Sequence, residues 1–134
     1  MVDIYTFELH SLEFDRIISG KKTVQLLLNE PKFKDYAIGN QITFKRNVET
    51  IIDEQKQELE NDKLVLEIKA TVSNLLYFND FVEALNTLGK EKCGFKASAT
   101  IEKTSDLFLA EGSYENVEKY GILAIVFEIE NVSK

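Results

Sequence analysis

The sequence predicts an α+β fold, with a mixed, strongly curved sheet or small β-barrel and short helices at its edges. Alternating apolar and polar residues indicate strands at 5–9, 23–28, 41–45, 64–72 and 122–129. Stretches with helical spacing lie between them, around 11–19, 79–88 and 114–120. The chain has 134 residues with no internal repeat or linker, so we expect a single domain covering 1–134.

The N-terminal third predicts a strand, a helix and a second strand. Residues 5–9 alternate in the manner of a strand, and Ser11 is the expected N-cap of the helix that follows. A buried helical stripe begins at Phe14 with the i, i+3, i+4 spacing. Gly20 is well placed to end this helix in a left-handed conformation, and residues 23–28 then have the pattern of a strand.

The middle of the chain predicts two strands separated by an acidic excursion. Residues 41–45 follow a loop that contains Pro31 and Gly39. The strand predicted at 64–72 has one apolar face and one mostly polar face. Between them, 47–62 contains six acidic residues and one lysine, a net charge of −5. Its apolar stripe is thin, so we expect a surface excursion, either a long hairpin or a frayed helix.

The C-terminal half predicts two or three helices and a final strand. Asn79 and Asp80 can cap a helix, and a further helix is expected at 101–109. Ser113 is the expected cap of a short helix at 114–120. The strand that follows is apolar on both faces, which predicts a central position in the sheet with cover on both sides.

The overall charge is −7, which taken alone argues against nucleic acid, but the distribution matters more. Five of the seven excess negative charges lie in 47–62, and the remainder of the chain is nearly neutral. Two interpretations of the basic residues stay open: a local basic patch, or dispersed lysines that only confer solubility. The patch would draw on Lys21, Lys22, Lys32, Lys34, Lys45 and Arg46.

The composition argues against several classes of protein. A single cysteine, Cys93, cannot form an internal disulfide, and with His10 as the one histidine no structural zinc site is available. We therefore expect no metal and no cofactor. No apolar run approaches the ~20 residues of a membrane span, and the N-terminus lacks a signal-peptide pattern. A cytoplasmic protein without a membrane partner is the expectation.

The segment Gly20-Lys21-Lys22-Thr23 is the leading candidate for a binding site. It joins a helix to a strand and places two ammonium groups and a hydroxyl at a turn, where a rigid scaffold can present them to a ligand. Gln25, two residues on, can hydrogen-bond an amide or a base edge but cannot act as a nucleophile or base. The alternative is that these are solvated turn lysines beside a polar sheet face.

This segment is also part of an ordered pattern of motifs. The residues at 19–23, 28–30 and 39–44, followed by 77–85 and 113–125, resemble the ASCH domain family of the PUA superfamily. The resemblance covers most of the chain in family order, and the least similar parts are 47–62 and 90–110. It implies a PUA-like β-barrel with flanking helices, and a cleft lined by the Gly-Lys-Lys-Thr segment.

The resemblance also implies a function. The family is regarded as RNA- or nucleotide-binding, and some small members are amidohydrolases that remove an acyl group from N4-acetylcytidine. In those enzymes a lysine before the motif threonine works with a threonine three residues on and a glutamate from the later helix. The corresponding residues here are Lys22, Gln25 and Glu83. The family's arginine and aspartate are replaced by Leu27 and Asn40, which removes one positive and one negative charge of the family's site.

These observations favour recognition over catalysis. The leading hypothesis is a cytoplasmic ASCH-type domain that binds RNA or a nucleotide-like ligand, with the oligomeric state left open. The expected ligand contacts are Lys21, Lys22, Thr23 and Gln25, with Lys45 and Arg46 as phosphate partners.

Two alternatives stay open. One is amide hydrolysis on an N4-acylated cytosine nucleoside, with Lys22 as base or nucleophile and Glu83 orienting it. A lysine with a pKa near ~10.4 is a poor base unless burial or a second cation lowers that pKa. The other alternative is a protein-interaction module that works through 47–62.

Overall fold

The computed structural model describes residues 3–96, 98–100 and 114–134. The strands in these ranges are β1 (Thr6–Leu9), β2 (Val24–Leu28), β3 (Gln41–Arg46), β4 (Glu67–Phe78) and β5 (Ile122–Ser133). The helices in these ranges are α1 (Ser11–Ile18), α2 (Asp53–Glu60), α3 (Phe81–Leu88) and α4 (Tyr114–Tyr120), with short 3₁₀ turns at Pro31–Phe33 and Val48–Thr50. The predicted helix at 101–109 and Ser113, the predicted cap of the helix at 114–120, lie outside the described residues.

The five strands form one mixed sheet in the order β1-β3-β4-β5-β2. β1 runs parallel to β3, and the other neighbouring pairs are antiparallel. The centre of the sheet is the long β4–β5 pair, in which each strand has 12 residues. Within the described ranges the sheet is open, with β1 and β2 at its edges. The predicted α+β class with a mixed sheet is confirmed at this level.

Both faces of the sheet are covered by buried side chains. One core cluster contains Phe14 and Ile17 of α1 with Phe44 and Ile68 of the sheet. The other contains the buried residues of α3 with those of β2. β5 contributes alternate residues to both clusters, because successive side chains of a strand point to opposite faces. The prediction of a strand inside the sheet, with cover on both sides through Phe127, is therefore confirmed.

The N-cap of helix α1 lies one residue earlier than predicted. The ring Nδ1 of His10 accepts a hydrogen bond from the Leu12 amide at 3.2 Å, so His10 is the N-cap. Ser11 is instead fully buried, and its hydroxyl donates to Gln55 Oε1 at 2.6 Å. A serine hydroxyl can hydrogen-bond buried side chains as readily as the amides at a helix end. Here it bonds to the buried side chains of Gln55 and Arg46.

Strand β4 continues well past its predicted end. The register against β5 shifts between Lys69 and Ala70 and again between Val72 and Asn74. A bulge adds a residue to one strand, so the simple alternation of apolar and polar side chains is lost beyond it. Phe78 consequently ends a strand rather than starting a helix. α3 begins after Asp80, whose Oδ1 accepts from the Glu83 amide at 2.8 Å, as the capping pattern predicted.

The acidic stretch 47–62 folds as a 3₁₀ turn followed by α2. Gln55 holds it to α1, because its buried side chain accepts from Ser11 and donates to the Asp15 carboxylate. The excursion is therefore fastened to the body of the protein by polar contacts. No helix in the described ranges is both long enough and apolar enough to cross a membrane.

Candidate functional site

A cavity of about 680 Å³ is lined by both edge strands of the sheet. β1 contributes residues 6–9, β2 contributes 25–28, and Glu13, Lys22 and Phe95 complete much of the wall. The sheet therefore curves far enough to bring its two edges to opposite sides of one space. A volume of this size falls within the roughly 300–1,000 Å³ of typical small-molecule sites.

Lys22 is a buried member of this wall. Its Nζ donates to the backbone oxygens of Val24 at 2.8 Å and Cys93 at 3.1 Å, and lies 3.2 Å from Glu13 Oε1. An ammonium group has three donors, and these contacts use all three. Burial lowers the pKa of Lys22, while the Glu13 carboxylate opposes that shift. The ammonium thus ties α1, the start of β2 and the turn at Cys93 together.

Gln25 presents the unusual polar group of the cavity. Its side-chain Oε1 is buried and has no hydrogen-bond partner among the described residues. A buried acceptor without a partner costs about 1–3 kcal/mol relative to a satisfied one. Natural proteins keep few such groups, and one in the wall of a cavity is suited to a donor supplied by a ligand.

The remaining wall combines aromatic rings with carboxylates. Phe7, Phe33 and Phe95 line the cavity and offer faces on which a planar ligand can stack. Three glutamates, Glu8, Glu13 and Glu30, line it as well, against the single ammonium of Lys22. Glu13 already pairs with Lys22 and Glu30 with Lys32 at 3.3 Å, so the described residues give the cavity no surplus positive charge. It is therefore better matched to a neutral ligand than to an anion.

Lys21 and Thr23 do not reach this cavity. They line a separate depression of about 460 Å³ together with Gly20 and the residues 88–92. Adjacent residues of an extended chain point in opposite directions, so Lys22 faces one space while its two neighbours face the other. The Gly-Lys-Lys-Thr segment is thus divided between two sites.

The other predicted site residues lie elsewhere. Lys45 is exposed on β3, where its register partners are Glu8 and Glu67. Arg46 is buried, and its Nη1 lies 2.9 Å from Asp15 Oδ1. Glu83 is exposed in the first turn of α3. None of these three residues lines either space, so the structure brings Lys22 together with Gln25 but not with Glu83.

Glu13 is the carboxylate that sequence reasoning did not connect with Lys22. Its place in the first turn of α1 also puts a negative charge at the positive end of the helix dipole. The Lys22 amide donates to Arg16 O at 2.9 Å, so the chain folds back along α1 and the two side chains meet. The signal in the sequence was an acidic residue on the helix that directly precedes the Gly-Lys-Lys turn.

Cys93 and His10 also line this cavity. Burial raises the pKa of the Cys93 thiol to about 11, with Lys22 opposing the shift, so the thiol stays protonated at neutral pH. The His10 ring is exposed and caps α1. No group of three or more possible metal ligands occurs in the described part of the chain.

Two solved structures are similar to this chain over nearly its whole length. The crystal structure of hypothetical protein PH0355 matches with a TM-score of 0.66 and 19% identity, covering 93% of this chain and 97% of that one. The solution NMR structure of protein PF0455 from Pyrococcus furiosus matches with a TM-score of 0.62 and 19% identity, covering 93% and 96%. No protein-family model matches, and a search of curated proteins gives no significant match. At this identity the similarity establishes a shared fold alone.

Proposed function

We propose that this chain is a cytoplasmic ASCH-type, PUA-like domain that binds a nucleoside-like ligand, either a free nucleoside or nucleotide or a single base of RNA. The base would occupy the cavity between β1 and β2. The observation that supports this proposal most directly is the buried Oε1 of Gln25, which lacks a partner among the described residues. Turned towards the cavity that Gln25 lines, this oxygen would accept from an amino or imino N–H on a base edge.

The rest of the wall fits a base better than a phosphate. Phe7, Phe33 and Phe95 provide stacking surfaces, and base–aromatic stacking is worth about 1–3 kcal/mol per base. The lining carboxylates would repel a phosphate, and the Lys22 ammonium already has three acceptors. The base and its sugar are therefore assigned to this cavity, with any phosphate outside it.

The substitution Gln25→Met tests the proposal, because it removes the amide while keeping the side-chain volume. We expect about tenfold weaker nucleoside binding, the loss of roughly 1.4 kcal/mol of binding free energy. Isothermal titration with cytidine, uridine, adenosine and guanosine measures this. The free energy of unfolding should stay within about 1 kcal/mol of the parent or rise, because an unsatisfied buried acceptor disappears.

Gln57→Met is the matched control, since Gln57 is exposed on α2 and away from the cavity. It should leave nucleoside affinity unchanged. The proposal is wrong if no nucleoside binds the parent protein, or if both glutamine variants bind as the parent does.

A second candidate is hydrolysis of an N4-acylated cytosine nucleoside. The specific observation in its favour is a buried lysine with a lowered pKa, paired at 3.2 Å with the carboxylate of Glu13. In this reaction water attacks the acyl carbonyl, the bond between carbon and N4 breaks, and the departing amine takes a proton. Neutral Lys22 would accept the proton of the attacking water, with Glu13 in place of the predicted Glu83. The ammonium must first release one of its acceptors, so this candidate ranks second.

The hydrolysis candidate predicts a specific pH profile. Release of cytidine from N4-acetylcytidine should rise with pH through the lowered pKa of Lys22, because only the neutral amine is a base. Glu13→Gln should move the profile to lower pH, because the Glu13 charge opposes the downward shift of the Lys22 pKa. Chromatography for cytidine gives the rate. Turnover no faster than that of a folded Lys22→Met variant rejects the candidate.

A further inference from the structure

We propose that the depression on the other side of the Gly-Lys-Lys-Thr turn binds the phosphate backbone of single-stranded RNA. This surface, called the basic depression below, is formed by Gly20, Lys21, Thr23 and residues 88–92. The inference rests on the proposed function, and it adds a second site with a different chemistry. The first cavity would take an uncharged base, and the basic depression would take the charged backbone beside it.

Charge is the first argument. Among the described residues, three lysines, Lys21, Lys90 and Lys92, line the basic depression against one acidic residue, Glu91. This concentration of positive charge occurs on a chain whose net charge is −7. Phosphate contacts supply most of the sequence-independent affinity for nucleic acid, and they come chiefly from lysine and arginine.

The lysines differ in their availability. Lys21 and Lys92 are exposed and have no ion-pair partner within the described ranges. The Lys90 ammonium also donates to the backbone oxygen of Ala99. We therefore assign direct phosphate contacts to Lys21 and Lys92, and a supporting charge to Lys90. The hydroxyl of Thr23 adds a donor of the kind that commonly contacts phosphate oxygens.

Backbone hydrogen bonds hold the two sides of the basic depression in place. The amides of Thr23 and Val24 both donate to Lys92 O at 2.9 Å. The Cys93 amide lies within hydrogen-bond distance of Gly89 O, at 3.3 Å. The lysines therefore project from loops whose backbones are fixed to each other, which reduces the ordering needed on binding.

Continuity with the first cavity selects RNA as the occupant. Two pairs of neighbouring residues, Lys21 with Lys22 and Lys92 with Cys93, each place one member at the basic depression and the other at the cavity. The two spaces are thus separated by a wall one residue thick. An RNA strand with one base in the cavity could continue around this wall, and the phosphate of a neighbouring nucleotide would then meet lysines that offer charge without reading sequence.

The test uses the double variant Lys21→Ala/Lys92→Ala, with Lys63→Ala/Lys134→Ala as a control of equal charge at exposed positions outside both spaces. Fluorescence anisotropy measures binding of a labelled single-stranded hexanucleotide between about 50 and 200 mM salt. Loss of two phosphate contacts should reduce the slope of log K against log salt by about 1.4. We expect about tenfold weaker RNA binding at the lowest salt, while cytidine affinity is unchanged.

Each further outcome decides between the proposals. Equal RNA affinity and salt slope in the two double variants overturns the phosphate site, even where cytidine binds normally. RNA binding that depends on Lys21 and Lys92, without binding of any of the four nucleosides, supports the phosphate site and overturns the base cavity. Competition by polyglutamate of equal charge, or by inorganic phosphate, as effective as competition by unlabelled RNA overturns the assignment to an RNA backbone.

Discussion

Replacing Arg46 with alanine is expected to lower the free energy of unfolding by about 2–4 kcal/mol, because it removes hydrogen bonds made by a buried charged group. The guanidinium is buried, and it connects three parts of the fold. Its Nε donates to Val65 O at 2.9 Å, and its Nη1 donates to Ser11 O at 3.1 Å and Ser11 Oγ at 2.7 Å. Removing it leaves these acceptors without this donor and Asp15 without its ion-pair partner.

The loss should extend to α2. Asp15 and Ser11 also hold Gln55, so the guanidinium and the α2 amide share the same two partners. The Arg46 guanidinium also lies 4.4 Å from the centre of the Phe14 ring, which adds a cation–π contact in a desolvated place. Because the partners are shared, the energetic effects of Arg46→Ala and Gln55→Ala should not be additive.

Two variants sharpen this experiment. Arg46→Lys keeps the charge but loses the planar fork, so it should recover only part of the lost stability. Lys45→Ala, one residue earlier and exposed, should change stability by less than about 0.5 kcal/mol. Urea unfolding followed by circular dichroism measures all three. An Arg46→Ala protein as stable as Lys45→Ala would show that the guanidinium is free at the surface, as a phosphate partner requires.

The different positions of Lys45 and Arg46 show what the sequence already contained. Strand β3 has a period of two, so Arg46 shares a face with Ile42 and Phe44, both fully buried. That alternation predicts an inward arginine and an outward lysine. Lys45 and Arg46 therefore lie on opposite faces of the strand, and the expectation that both are phosphate partners of one ligand does not agree with this period of two.

Other features depend on contacts between distant segments. The elements themselves follow from local patterns, such as the apolar run at 122–129 and the cap at Asp80. The parallel pairing of β1 with β3 and the approach of β1 to β2 around a cavity come from packing, which alternation does not encode. The ion pair of Glu13 with Lys22 and the anchoring of α2 by Gln55 are likewise long-range contacts. Sequence reasoning therefore placed Gln25 on the correct strand but did not find the contact between Lys22 and Glu13.

The substitution Gly94→Ala should destabilise the protein through its effect on Lys22. Gly94 has φ = +99°, where an alanine is strained. A Cβ there would lie 2.9 Å from both Cδ and Nζ of Lys22 and 3.0 Å from Glu13 Oε1. The buried ammonium cannot move away without losing its contacts to Val24 and Cys93. The expected cost is the backbone strain plus about 2 kcal/mol for these charged hydrogen bonds.

Gly39→Ala separates the two contributions. Gly39 has φ = +95° and no atom within 4 Å of an added Cβ, so its substitution costs backbone strain without a collision. The difference in the free energy of unfolding between the two variants, measured by urea unfolding, therefore reports on the contacts of Lys22. A difference within about 0.5 kcal/mol would contradict the tight packing of Gly94 against Lys22.

The same comparison at several pH values has a defined sign. Burial lowers the pKa of Lys22 in the folded protein, so the unfolded chain binds its proton more tightly. Stability therefore rises with pH between the folded pKa and about 10.4, the value expected for the unfolded lysine. Gly39→Ala keeps this rise. Gly94→Ala, with the ammonium pushed towards water, should lose much of it, so the difference between the variants should widen as the pH increases.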